Sequence, residues 1–252
     1  KQFTQMHKRK IQDLIGENYI FASVLHYFGL KFYEYSDKTL EQVCNQKGLS
    51  VENVMASLES AVNTVTTPDF GQLYYPIDLL IEYLKHMHHI FVKQRLPYLI
   101  DIVRACKSEE PVYGQTVKDL NFVFPLFVED FIRHIYEEED ELFQYVTLLQ
   151  KAEEGKIEMY SLFKSIDKYR LQEHALEHHM HEDEMAGIRR ITNQYDLSNN
   201  KDLHIKVIYS ELQRFEQELK THARIENEIL YPKALQLEAK VKKLYLEKIP
   251  LN

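Results

Sequence analysis

The chain has 252 residues, 44% of them hydrophobic and 28% charged, with a formal net charge of −8 at pH 7. That length can bury a substantial core, and the balance of apolar and charged residues excludes wholesale disorder. No stretch approaches the roughly 18 uninterrupted apolar residues of a membrane span, and an acidic chain is a poor phosphate binder, so neither a membrane nor a nucleic-acid partner is expected.

Gly and Pro number 7 each, too few for the many turns of a sandwich or barrel, so an all-α chain is expected. Lys1 to Lys10 is basic but no signal-type apolar core succeeds it, and Cys44 and Cys106 stand alone with no C-x-x-C; both features suit a cytoplasmic protein whose metals, if any, use ligands other than thiolate. Residues 11 to 63 read as short helices: an apolar series through Ile11, Leu14, Ile15, Ile20, Val24 and Leu25, a break at Gly29, then Leu40 to Val43 and Val51 to Val62 behind Ser50 as N-cap. Asn63 to Gly71 interrupts the helical period and is read as a linker. The expected domains are therefore a small helical one over 1–66 and a larger one over 67–252.

In the larger part the 3.6-residue period predicts four long helical stretches, about 74 to 107, 118 to 153, 159 to 195 and 201 to 247, with a possible division of the third near Lys168. Short connections make an antiparallel four-helix bundle the expected arrangement. Ten of the twelve His lie there: 86, 88, 89, 134, 174, 178, 179, 181, 204 and 222. His204, like His7 and His26, is read as packing rather than chemistry.

Phe127-x-x-Asp130-Phe131-x-x-His134-x-x-x-Glu138-x-x-x-Leu142-Phe143 aligns without a gap, 88 residues on, with Phe215-x-x-Glu218-Leu219-x-x-His222-x-x-x-Glu226-x-x-x-Leu230-Tyr231. The second and fourth helices thus look like copies of one functional helix. Residues i and i+4 share a helix face, so His134 with Glu138 and His222 with Glu226 can aim at one centre from facing helices. Each carboxylate has two oxygens and can bridge two cations about 3 to 4 Å apart. Imidazole and carboxylate without thiolate suit iron, manganese or zinc. The remaining ligands would come from His86 to His89 and from His174 to His181, among which spacing alone does not choose. Asp130 and Glu218, one turn before the ligand His residues, are candidates to orient their rings, and the acidic run Glu137 to Glu141 reads as a solvated face apart from Glu138.

These residues resemble the hemerythrin-like di-iron proteins, and among them the repair-of-iron-centres proteins, which join a small N-terminal domain to a hemerythrin-like bundle. The resemblance is carried most strongly by His222-Ala-Arg-Ile-Glu226 with Tyr231-Pro232 after it, and by His134-Ile-Tyr-Glu-Glu138 with Leu142-Phe143. It selects His89, eight residues before Pro97, and His178, fourteen before Thr192, with His181 as runner-up. It implies that His89, His134, Glu138, His178, His222 and Glu226 hold two non-haem iron ions in an oxo- or hydroxo-bridged centre; Glu177, next to His178, is read from its position as a catalytic proton relay.

Ile15-Gly16-Glu17, Phe28-Gly29-Leu30, Lys38-Thr39-Leu40 and Lys47-Gly48-Leu49 are similar to the family's N-terminal domain. Tyr33-Glu34-Tyr35-Ser36 stands where the family usually carries Cys-Cys-Gly-Gly, which places any thiol-dependent step in doubt. The resemblance implies iron-sulfur cluster repair or iron delivery, with NO or O2 as a small diatomic ligand, an iron-sulfur protein as client and a possible homodimer, under nitrosative or oxidative stress. A non-catalytic O2 or NO sensor or carrier is the alternative.

Overall fold

The computed structural model describes residues 3–63, 75–107, 111–180, 183–198 and 202–247, and their regular structure is helical throughout, with one isolated bridge between Lys10 and Thr39. The all-α expectation is met. No helix among the described residues is long and apolar enough to cross a membrane. By internal contacts the chain forms two compact units: Lys1–Pro68 with Lys93–Pro125 and Gly187–Phe215, and Asp69–Val92 with Leu126–Ala186 and Glu216–Asn252.

In the first unit, α1 (Ile11–Glu17), α2 (Ile20–Tyr27), α3 (Leu40–Lys47) and α4 (Val51–Asn63) match the predicted apolar series. Ile11, Leu14, Leu25, Leu40, Val43, Val54 and Leu58 are fully buried. Their boundaries are local chemistry. Thr39 Oγ1 accepts from the Gln42 amide while Gln42 Oε1 accepts from the Thr39 amide, a reciprocal capping box, and α3 closes on Gly48 in the left-handed region, φ 68°. Ser50 Oγ accepts from the Asn53 amide at 3.2 Å, as its N-cap assignment requires.

His204 is a packing residue of this unit. Its ring stacks on Tyr33 at 5.1 Å, meets Phe32 edge-on, and donates from Nε2 to the Ile102 carbonyl at 2.8 Å. Burial depresses its pKa, with the Ile102 hydrogen bond and Asp202 acting in the opposite sense. A histidine that resists protonation when folded makes the unfolded chain the better proton acceptor, so stability is complete above the unfolded value of about 6.5 and falls as pH drops below it. The midpoint of urea unfolding is therefore expected to fall between pH 7 and pH 5, and His204→Phe, which keeps the stack, should flatten that acid limb. An equal acid limb in the variant would show that other groups cause it. The segment Tyr33 to Ser36 is thus partly an aromatic platform for His204, and the thiols of Cys44 and Cys106 are both buried.

The donor residues lie in the second unit; in the helices described next, residues 93–125 and 187–215 belong to the first. α5 (Ile77–Ile90) continues through a π turn (Phe91–Arg95) into α6 (Leu96–Ala105). α7 (Pro111–Glu137) continues through a π turn (Glu138–Phe143) into α8 (Gln144–Glu153). α12 (Leu203–Ile225) continues through a π turn (Glu226–Leu230) into α13 (Tyr231–Leu246). The third predicted stretch divides into α9 (Met159–Tyr169), α10 (Leu171–Met180) and α11 (Ala186–Ile191), with Arg170 left-handed at φ 52° where α9 ends, two residues beyond the anticipated division near Lys168. Leu80 and Leu84 of α5, Val146 and Leu149 of α8, Leu162 of α9, Leu171 of α10, and Ala234 and Val241 of α13 share one core. Tyr145 on α8 donates to Glu238 on α13 at 2.6 Å, satisfying the one polar atom its ring brings in.

Candidate metal centre

Three helix interruptions of the same kind lie at the site. Glu138 and Glu226 each open a π turn, and the third begins three residues after His88. A π turn takes in one residue more than an α turn and rotates the succeeding helix by about 100°, and such turns concentrate at functional sites. Here they let His134 and His222 keep α-helical spacing to their Glu partners while Leu142, Phe143, Leu230 and Tyr231 return to the core.

Two groups of donors converge. His88, Glu138, His222 and Glu226, all buried, form one; His134, Glu138 and His178 form the other; in each, the donor atoms lie within 4.8 Å of one another. Glu138 belongs to both. Its Oε1 stands 2.9 Å from His134 Nε2 and 3.0 Å from His178 Nε2, and its Oε2 stands 3.3 Å from His88 Nε2. Glu226 Oε2 lies 3.2 Å from His178 Nε2 and 3.3 Å from His222 Nδ1. His88 Nε2 and His222 Nε2 are 2.7 Å apart.

Of the six residues expected as ligands, five are brought together: His134, Glu138, His178, His222 and Glu226. His89 is not; it is exposed, and His88 occupies the inward position. His88 lies nine residues before Pro97, one more than the count that singled out His89, and the Phe91–Arg95 π turn lies between. A signal for His88 was present in its phase, four and eight residues after the buried Leu84 and Leu80. His174 stacks on Tyr169 at 4.5 Å and belongs to neither group, His86 is exposed, and His181 lies outside the described residues. Glu177 is exposed on the wall of the adjoining cavity.

Two of the rings are held by neighbours that the sequence did not single out. Asp130 pairs with Arg133 rather than with a ligand His. His88 Nδ1 donates to Glu139 Oε1 at 2.9 Å, and His178 Nδ1 donates to Asn227 Oδ1 at 3.0 Å. Glu139 and Asn227 each come directly after a Glu donor and stand 88 residues apart (227 against 139), so the internal repeat extends to the residues that fix the imidazoles. A donated Nδ1 proton leaves the Nε2 lone pair of a neutral ring facing the centre, the arrangement a metal-ligating His needs.

The electrostatics are those of a cation site. Burial would raise the Glu138 carboxyl, but the His134 and His178 rings at Oε1, with the His88 ring 3.3 Å from Oε2, outweigh it and hold it well below the usual range. Burial would lower His134 and His178, but Glu138 first, and then Glu184 for one and Glu226 for the other, push them up to about 9 and about 11. Burial wins at His222, whose pKa is depressed. Neither oxygen of the fully buried Glu226 carboxylate has a hydrogen bond, nor does Glu138 Oε2. A buried carboxylate left so costs several kcal/mol unless a positive charge faces it, and two imidazole nitrogens in contact cannot both carry protons. The donor set therefore fits metal ions, which satisfy carboxylates and lone pairs together. A cavity of about 390 Å³ opens onto His134, Glu138, His178, His222 and Glu226, with Phe131, Leu142, Leu219 and Tyr231 as apolar wall.

No family model matches the chain.

Proposed function

We propose that this chain is a hemerythrin-like non-haem di-iron protein that acts in iron-sulfur cluster repair or iron delivery, handling NO or O2 under nitrosative or oxidative stress. The observation that carries the reading is the convergence of four imidazoles and two carboxylates, with Glu138 common to both groups, on a centre where Glu226 has no hydrogen bond of its own. In this reading α5, α7 with α8, α9 with α10, and α12 with α13 are the four rods of an antiparallel bundle, and residues 1–66 are its N-terminal domain.

His88, His134, His178 and His222 with Glu138 and Glu226 would hold the two ions, the carboxylates offsetting part of their charge. Bound there, redox-active iron supplies open coordination positions for a diatomic ligand and a one-electron couple. The chain contributes the rest. Glu139 and Asn227 hold two rings in the tautomer that presents Nε2. The apolar wall limits water, and Glu177, on the cavity wall, would pass protons. Iron as the metal, an iron-sulfur client, a cytoplasmic setting and a homodimer belong to the same proposal.

One observation favours the sensor or carrier reading as the alternative. Tyr33 is committed to packing on His204, and the thiols of Cys44 and Cys106 are buried, so no accessible thiol stands among the described residues to take iron from the centre.

The test is metal analysis with visible and electronic spectra of the untagged chain. About two iron per chain, an oxo-to-ferric charge-transfer band that is lost on reduction, and new absorption when NO is added to the reduced protein are expected. A chain that takes up no iron, manganese or zinc ends the reading. Restored activity of a damaged iron-sulfur enzyme would separate repair from sensing.

A further inference from the structure

The two donor groups are unequal. His88, Glu138, His222 and Glu226 are at most 5% exposed at their side chains, and His88 does not reach the cavity. His134 is 34% exposed and His178 11%, and every member of their group lies on the cavity wall. The buried group offers four donors and the open group three.

A further carboxylate stands beside the open group. Glu184, in the turn between α10 and α11, places Oε1 4.0 Å from His134 Nε2, with its side chain 32% exposed and on the same cavity wall. Two donors to one cation, each about 2.1 Å from it, can stand up to about 4.2 Å apart, so Glu184 as it lies is within reach of a cation held by His134. Hard divalent cations favour carboxylate oxygen, and a turn can release its side chain more readily than a packed helix can. The Glu226 carboxylate, fully buried and lining the same cavity, has no hydrogen bond at either oxygen and turns Oε2 toward the His178 and His222 rings at 3.2 and 3.3 Å, which shows independently that this wall is built to face positive charge.

We propose that Glu184 is an additional, exchangeable donor on the open side, and that the cation held by His134, Glu138 and His178 is the one the protein loads last and surrenders first through the cavity. The inference rests on the two-cation reading above and adds to it which ion is deliverable. Exchange is ligand substitution alone: Glu184 moves off, water or a chelator takes its place, and no electron is transferred. The ion between His88 and His222 stays behind side chains that are at most 5% exposed, of which His88 does not reach the cavity at all.

The test is a chelator chase on the full-length chain, loaded anaerobically with ferrous iron and mixed with excess ferrozine. Two phases of equal amplitude are expected, their rates separated by at least about tenfold. Glu184→Gln should accelerate the fast phase by about tenfold and leave the slow phase unchanged, the scale on which metal sites respond to loss of a supporting group. Glu184→Asp should fall between. Release of both ions in one phase, or a fast phase indifferent to Glu184→Gln, overturns the inference while leaving two bound irons intact. A wild-type chain that never takes up iron overturns the underlying reading, and the inference with it.

Discussion

On the proposed two-metal reading, replacing Glu138 by Gln is expected to cost the protein both ions, because its two oxygens serve both donor groups: Oε1 meets His134 and His178, and Oε2 meets His88. Bound iron per chain should fall from about two to well below one, and the stabilisation that metal confers, about 4 kcal/mol at a thousandfold excess over the dissociation constant, should vanish. A second effect is expected in chelator-treated protein. There the variant leaves His134 and His178 without the carboxylate that holds them protonated, a loss of about 3 kcal/mol near neutral pH. The sign with pH is definite. His134 and His178 have folded pKa values above their unfolded ones, so their contribution is complete below about pH 6.5 and is lost as pH rises through about 9 and about 11. The depressed Glu138 contributes above the unfolded carboxylate value and loses its contribution as pH falls through its folded pKa. Wild type and variant should therefore differ most between about pH 4.5 and 6.5, differ less as pH rises toward 9, and converge only near pH 11. Denaturant titrations across that range, with and without iron, measure both effects, and a variant that keeps two irons would remove Glu138 from the centre.

The parts of this site that were legible in the sequence are those carried by a single unbroken α turn. His134 with Glu138 and His222 with Glu226 are four residues apart on one helix, so periodicity and the 88-residue repeat place both pairs before any fold is known. Phase is lost wherever a helix departs from 3.6 residues per turn. The π turn at Phe91–Arg95 moves the inward position from His89 to His88, and no residue type in that segment announces it. Arg170 is similar: a left-handed residue that is not Gly ends α9 without a compositional mark. Glu139 was concealed for another reason, since an acidic run reads as solvated surface; extending the repeat by one position would have paired it with Asn227. Glu184 lies in a turn, where no periodicity operates. The helical class, by contrast, was legible from few turn-formers and long apolar periods, and every described element agrees with it.

The choice between neighbouring histidines gives the other large expected effect. His88→Ala removes a ring whose Nε2 is 2.7 Å from His222 Nε2 and 3.3 Å from Glu138 Oε2, and whose face stacks on Phe143 at 5.6 Å. Three losses coincide: a donor to the buried group, the hydrogen-bond partner of Glu139, and packing that the interior cannot refill. Affinity for the more tightly held ion should fall by more than about a hundredfold, beyond the range seen when only an orienting group is lost. Glu139→Ala, which leaves the His88 ring but frees its Nδ1, should fall within that range, about 10- to 100-fold, as should Asn227→Ala acting through His178. His89→Ala removes an exposed side chain and should leave metal content unchanged and stability within about 0.5 kcal/mol. Equilibrium competition against a chelator of known affinity ranks the four variants on one scale. The order His88, then Glu139 with Asn227, then His89 is set by which nitrogen faces the centre and which neighbour holds it there. If His89→Ala lost metal while His88→Ala kept it, α5 would have to be rotated by one residue, and the inward face that carries His88 would be wrong.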